Sequence, residues 1–236
     1  MDPELYLRVR EKEGRLYSDQ IVAGLPSVPD GHPLVSEWRA RSESARRLLR
    51  YISSRQSPFF VLDLGCGNGW LSNLLAQPGQ VVLGLDQNRY ELRQAARVFR
   101  SNPNLSFLEA DIFSAPFPAG SFDLIIVASA LQYFPNATNL LTMLLDYLKP
   151  NGEIHILDTP LYSKRERETA VLRSREYYAS LGCPEMIDHY FHHRISDLDS
   201  LHPKMLYDPG SLTRRLKRWI GQIDSPFPWV VIRKQN

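Results

Sequence analysis

The stretch FFVLDLGCGNGW, residues 59–70, limits what this chain can fold into more than any other. Its first six residues form a short apolar run, as a strand buried on both faces of a parallel sheet requires. The run stops at Gly65, Gly67 and Gly69, and a helix begins with Trp70, Leu71, Leu74 and Leu75 on its inner face. Backbone N–H groups at such a helix start are free to meet a polar or anionic group. Glycine suits the turn because a Cβ would block close approach of a ligand and because the turn calls for positive φ. A lone glycine turn is a shape feature of many loops, so its meaning depends on what surrounds it.

What surrounds it is alternation. VVLGLD (81–86) reads as a strand, and Leu92, Ala95, Ala96 and Phe99 then repeat at helical spacing. LSFLEAD (105–111) and FDLIIVAS (122–129) read as the next two strands. Leu140, Leu141, Leu144, Leu145 and Leu148 make another helix face, and Pro150-Asn151-Gly152 turns the chain into EIHILD (153–158). Upstream, Ala45, Leu48, Leu49 and Ile52 mark an amphipathic helix, whereas residues before about 35 carry no clear period. The pattern predicts an α/β fold, a mostly parallel sheet with helices on both faces.

At 236 residues one domain is expected. It divides into an N-terminal helical or lid segment (1–55), a core (57–158), an insert after the fifth strand (160–207) and a final helix and strand (208–236). The insert is rich in Tyr and Arg and carries a helix over 164–180, ended by Gly182 and Pro184; connections of that length are usually lids or binding inserts. Leu212, Leu216, Trp219 and Ile220 predict a last core helix, and WVVIRK (229–234) a last strand.

Two acids flank the glycine turn. Asp63 sits at the end of the first strand and Asp86 at the end of the second. In a Rossmann-like unit an acid at the second strand's tip can accept both hydroxyls of a ribose; the alternative for Asp86 is a turn residue or helix N-cap before NRYELRQ. The ordered set (strand, Asp63-Leu64-Gly65-Cys66-Gly67-Asn68-Gly69, helix, strand ending in Asp86, third strand ending Ala110-Asp111-Ile112, fourth opening Phe122-Asp123, then LKPNGEIHI) resembles the class I S-adenosylmethionine-dependent methyltransferases over roughly 57–158. The resemblance implies a Rossmann-like class I methyltransferase sheet and S-adenosylmethionine as cofactor. It puts Gly65 and Gly67, in the turn that also holds Asp63 and Cys66, near the methionine part, and Asp86 on the ribose. Gln87 would lie beside the adenine, Asp111 would accept from its amine, and the Ile112 backbone would donate to a ring nitrogen. Ser129 and Leu131 would line the sulfonium and the acceptor entrance. Asp111 can also be read as a cap or turn residue.

The resemblance implies an enzyme but designates no catalytic residue. Candidates for a base are Tyr133, Asp158, His189 and His192, each also readable as a pocket wall. The implied reaction is methyl transfer to a small-molecule O, N or C nucleophile. One rival is an NAD(P)-dependent oxidoreductase, but its GxGxxG fingerprint wants glycine where this chain has Trp70. Others are a non-catalytic cofactor-binding subunit and a methyltransferase of protein or nucleic acid. Enzymes that methylate base amines carry an Asn/Asp-Pro-Pro-aromatic motif after the fourth strand, where this chain has Ala128-Ser129-Ala130-Leu131. A net charge of +2 gives no call for a phosphate backbone or membrane partner. The arginines at 39, 41, 46, 47 and 50, and the basic run at 214, 215, 217 and 218, read as solvated helix faces.

Asp188, His189, His192 and His193 have spacing that could bind zinc from one helix face, or could be a polar lid face; no metal is expected. His155, between two isoleucines of a strand, reads as a hydrogen-bonded core histidine. Cys66 lies in the glycine turn and Cys183 in the insert, so no disulfide is expected. The start is charged and no segment has the length and apolarity of a membrane span, which predicts a cytoplasmic protein.

Overall fold

The computed structural model describes residues 3–54, 59–115, 117–212, 214, 219, 221 and 223–234. Its strands are β1 (Phe59–Leu64), β2 (Gln80–Asp86), β3 (Leu105–Glu109), β4 (Phe122–Ala128), β5 (Leu148–Leu157), β6 (Lys204–Tyr207) and β7 (Trp229–Arg233). They form one seven-stranded sheet in the order β3-β2-β1-β4-β5-β7-β6. The first five strands pair in parallel, while β7 runs antiparallel to β5 and β6 antiparallel to β7. The strand order reverses between β1 and β4, so the glycine turn after β1 opens into the crevice where ligands of such sheets bind.

Alternation along each strand divides the core into two layers. Val61, Val82, Leu124 and Ile126 face one layer, covered by Leu48 and Ile52 of α3 (Val35–Ser53) and by Trp70, Leu71 and Leu75 of α4 (Trp70–Leu75). Leu62, Leu64, Leu85, Ile125 and Ile156 face the other, covered by Leu140, Leu141 and Leu144 of α6 (Ala137–Tyr147). The helix between β2 and β3 is α5 (Arg89–Val98), capped by Asn88, whose side chain accepts from the N–H groups of Tyr90 and Glu91.

The aperiodic start of the chain is helical in two places, α1 (Pro3–Lys12) and α2 (Asp19–Gly24). α1 packs against the insert, whose helix is α7 (Lys164–Ser180), through a small separate core of Leu5, Val9, Tyr178, Cys183 and Met186. Only two residues of α1 are buried, too few to set a readable period.

Several boundaries differ from expectation. β5 begins at Leu148, not at Glu153: the Pro150-Asn151-Gly152 turn is a bulge inside the strand, with Asn151 at φ 63 and the register against β4 shifting between Phe122 and Leu124. Lys204–Tyr207, expected in the insert, is an edge strand; four residues paired on one side, with Lys204 and Met205 exposed, leave no alternation to detect. The expected last core helix is corrected too: Leu212 is 81% exposed and Trp219 84%, so they are not core, and Leu216 and Ile220 lie outside the described residues. Among the described residues no helix is long and apolar enough to cross a membrane.

Candidate functional site

Two cavities meet at the carboxyl ends of β1 and β4. The first, of about 360 Å³, is lined by nine of the ten cofactor-site residues expected from the sequence: Asp63, Gly65, Cys66, Gly67, Asp86, Gln87, Asp111, Ile112 and Ser129. Gly65, Gly67 and Gly69 all take positive φ, and a Cβ on Gly65 would lie 2.5 Å from that of Ala130. The glycines are therefore required by backbone conformation, and Gly65 also by close approach of the turn after β4.

Asp86 ties the turn to the next helix. Its Oδ2 accepts from the Gly67 N–H and its Oδ1 from the Asn88 N–H, both at 2.8 Å, and burial raises its pKa. The N-cap of α5 is Asn88, so the capping alternative for Asp86 does not hold. Asp63 turns inward, accepting a 2.5 Å hydrogen bond from the Ser72 hydroxyl, and burial pushes its pKa up to about 6. Asp111 starts a turn, with Oδ1 accepting from the Phe113 N–H, while lining the cavity. The turn reading and the cavity position are thus both realised in one residue. Leu131 is a correction: it is fully buried in the core beneath α6 and lines neither cavity, and Ala130 and Tyr133 on either side of it hold that position instead.

Other lining residues escaped the sequence reading. Glu91, in the first turn of α5, is 5% exposed, accepts from the Asn88 side-chain amide, and is pushed up to about 7 by burial. Tyr6 and Arg10 of α1, Arg15, and Trp38 and Arg41 of α3 close the cavity from the amino-terminal side. They form a chain of charges: Arg10 pairs with Glu13, Arg15 meets Glu13 and grips Glu37 through both oxygens, and Glu37 also accepts from Arg41. These pairs hold Glu37 down to about 2 despite its burial. Arg41 then donates to the Ser129 hydroxyl at 3.0 Å. The expectation of a solvated basic face on α3 is corrected here, because Arg41 reaches the site and Arg47 pairs with Asp224 and lies 4.1 Å from the Tyr207 ring centroid. Arg10–Glu13 and Arg41–Glu37 are local pairs at helical spacing, but Arg15–Glu37, Arg41–Ser129 and Arg47–Asp224 join segments far apart in sequence, and no local pattern could announce those.

Ser129 and Asp158, the first residues past β4 and β5, are both non-glycine residues at positive φ, 54 and 48. Such conformations persist where surrounding structure enforces them and they cluster at functional sites. Here the Ser129 hydroxyl donates to the Asp158 carbonyl and its N–H to the Leu157 carbonyl. Ser129, with Arg10, Arg15, Arg41 and Tyr133, borders both cavities. The second cavity, of about 770 Å³, lies between α3, the insert and residues 223–227, and its wall includes Tyr133, Tyr162, Tyr177, Tyr178 and Tyr190.

The insert's histidines do not act as a group. His192 and His193 are 6% exposed, outside any helix, with Nε2 atoms against the Ser174 hydroxyl and the Leu131 carbonyl, and burial lowers both pKa values. They are buried structure, which corrects the expectation of a polar lid face. Among the described residues no three His, Cys, Asp or Glu side chains could hold a metal ion. His155 is fully buried, accepting from the Trp229 indole at Nδ1 and facing Glu153 at Nε2, the hydrogen-bonded core residue expected.

Comparison with known proteins follows the same lines. Residues 61–152 match a family model described as a methyltransferase domain. The chain is 35% identical over 146 residues to trans-aconitate 2-methyltransferase of Deinococcus radiodurans, covering 61% of this chain and 54% of that one. It is 29% identical over 137 residues to demethylmenaquinone methyltransferase of Lactococcus lactis, covering 54% and 52%. The chain thus spans about half the length of the curated relatives it matches. Among solved structures, a putative sarcosine dimethylglycine methyltransferase from Galdieria sulphuraria superposes with a TM-score of 0.65 at 15% identity, covering 98% of both chains. Magnesium protoporphyrin IX methyltransferase from Synechocystis, with bound SAH, gives 0.62 at 13% identity, again covering 98% of both. At these identities the superpositions establish the fold.

Proposed function

We propose that this chain, which belongs to the class I S-adenosylmethionine-dependent methyltransferase family, transfers the cofactor's methyl group to a small organic acceptor held in the second cavity. One observation carries the reading. Nine of the ten expected cofactor positions surround a single cavity at the point where strand order reverses, and that cavity meets a larger one at Ser129 and Tyr133. Both volumes fall in the range of roughly 300–1,000 Å³ usual for small-molecule sites.

The residues fit S-adenosylmethionine. Gly65 and Gly67 leave the turn without side chains where the methionine part would lie, and Asp86 offers carboxylate lone pairs to a ribose while its backbone bonds hold it still. Asp111 and Ile112 would hold the adenine. Trp70, in the place of a dinucleotide fold's third glycine, packs edge-on against Trp38 at 5.4 Å and fastens α3 over the turn, which favours a ligand without pyrophosphate. The bound cofactor would supply an already activated methyl group, and the work left to the chain is to hold the acceptor in line with it and exclude water. The amino-terminal segment and the insert, packed on each other, would form the wall that does this. Relatives named for trans-aconitate, demethylmenaquinone and malonyl-(acyl-carrier protein) favour a small acceptor group and differ too widely to name one.

Calorimetry tests the reading: saturable binding of S-adenosylhomocysteine and none of NAD or NADP is expected. Binding of a dinucleotide without response to S-adenosylhomocysteine would reverse it. Asp86→Ala should weaken S-adenosylhomocysteine binding by roughly 1–3 kcal/mol, the cost of leaving ligand hydroxyls without their charged partner. A folded Asp86→Ala protein that binds as tightly as its parent would leave the acid only its role in bracing the turn.

A further inference from the structure

The second cavity holds two polar groups that the chain itself leaves open. Gln132 is 6% exposed and its amide nitrogen donates to the Ser129 carbonyl at 2.7 Å, yet its buried Oε1 has no hydrogen-bond partner among the described residues. A buried acceptor without a donor is costly unless something else supplies the donor. Asp158, on the same cavity wall, accepts from the Ser44 and Ser225 hydroxyls at 2.7 and 2.9 Å, and both bonds go to Oδ1. Oδ2 takes no part in either.

Three of the four arginines bordering the cavity are in the opposite condition, while Arg173 of α7 forms no ion pair among the described residues. Arg10, Arg15 and Arg41 are already matched by Glu13 and Glu37. Arg47 is paired with Asp224, beside the loop that brings Ser225 to Asp158. Beside Ser129, where Gln132 and Asp158 both bond and the two cavities meet, the open polar capacity of the wall is for accepting protons, while Arg173 stands on the insert's α7. The chamber has five tyrosines in its wall.

We infer that the acceptor is an aromatic compound whose nucleophile bears a proton, a phenolic hydroxyl or an aromatic amine, with Asp158 as the general base and Gln132 Oε1 as a second acceptor that orients it. This rests on the methyltransferase reading and assigns the substrate class of its second cavity. The tyrosines offer flat apolar faces to a ring. In the step itself the acceptor's O–H or N–H proton passes to an Asp158 carboxylate oxygen. The oxygen or nitrogen forms its bond to the methyl carbon, the carbon–sulfur bond breaks, and its electron pair stays on sulfur, leaving a neutral thioether. Burial, opposed by Arg41, the two serines and Arg47, raises Asp158 above the ordinary carboxylate range, which moves a carboxylate toward the operating pH of a base.

The test uses the full chain, labelled S-adenosylmethionine, and as probes catechol and aniline against benzoate and trans-aconitate. Label is expected on catechol or aniline and not on the carboxylates; label on the carboxylates alone, or on none of the four, overturns the assignment of class. Asp158→Asn should lower the rate at neutral pH by ~100-fold or more and flatten its acid limb, with S-adenosylhomocysteine affinity unchanged. Gln132→Met, which keeps volume and removes the open acceptor, should raise KM by about tenfold with little change in kcat. If both variants match the parent, the base and its partner are wrong. Failure of the parent to bind S-adenosylhomocysteine at all would instead defeat the underlying methyltransferase reading.

Discussion

Alanine at Gly65 is expected to lower the unfolding free energy by about 2–5 kcal/mol and to abolish measurable cofactor binding. Two costs combine. Gly65 has φ +73, where an L side chain is strained by roughly 1–2 kcal/mol. Its new Cβ would also lie 2.5 Å from the Ala130 Cβ, and neither atom can rotate away. Relief requires the turn after β1 to part from the turn after β4, which costs about 1–3 kcal/mol as overpacking does and displaces both walls of the first cavity. Ala130→Gly removes the second cost but not the first, so the double variant should recover the steric share and stay below the parent. Urea denaturation of the four proteins measures this; equal loss in single and double variants would show that the backbone angle alone accounts for the glycine.

The ligand-free protein is expected to be more stable at pH 5 than at pH 8, by several kcal/mol. Asp63 and Glu91 are buried carboxyls, at 2% and 5% exposure, whose pKa values burial raises to about 6 and about 7. Each binds its proton more tightly folded than unfolded, so its stabilising contribution is complete below its unfolded pKa of ~4 and is lost as pH rises through about 6 and about 7. The loss is on the order of 3 kcal/mol for each group. Asp86 and Asp158, also raised by burial, act in the same direction. Glu37 acts in the opposite one: held at about 2 by Arg15 and Arg41 against burial, it stabilises above its unfolded pKa and ceases to do so as pH falls toward 2. Maximum stability should therefore lie near pH ~4–5. Glu91→Gln and Asp63→Asn should each flatten the alkaline fall. Denaturation midpoints that rise from pH 5 to pH 8 would mean that these carboxyls are ionised without penalty and that water reaches them.

How much of this could be read from the chain alone depends on the range of the interactions. β1, its glycine turn and α4 are adjacent in sequence, and glycine at Gly65, Gly67 and Gly69 answers a local backbone requirement, so the motif was legible. The same holds for Asp86, whose two backbone partners, Gly67 and Asn88, lie in the two turns that sequence pattern located. Leu131 misled for a physical reason: directly after a strand tip the chain turns at Ser129, and which of the next residues faces the cavity depends on a left-handed φ that serine does not advertise. Edge strand β6 was silent because pairing on one side imposes no alternation.

Local pattern along the chain sets the alternating α/β core and the cofactor-type turn, because apolar period, glycine at positive φ and acids at strand tips act over a few residues. Tertiary contact alone set that α1 and the insert meet over the site, that Arg15 reaches Glu37 and Arg41 reaches Ser129, and that Gln132 and Asp158 face one chamber. Those facts rest on contacts between residues as far apart as Arg41 and Ser129 or Ser44 and Asp158. A charge or amide in a sequence shows what it can bind; only the folded chain sets which partner stands within hydrogen-bond reach, and which atom is left without one.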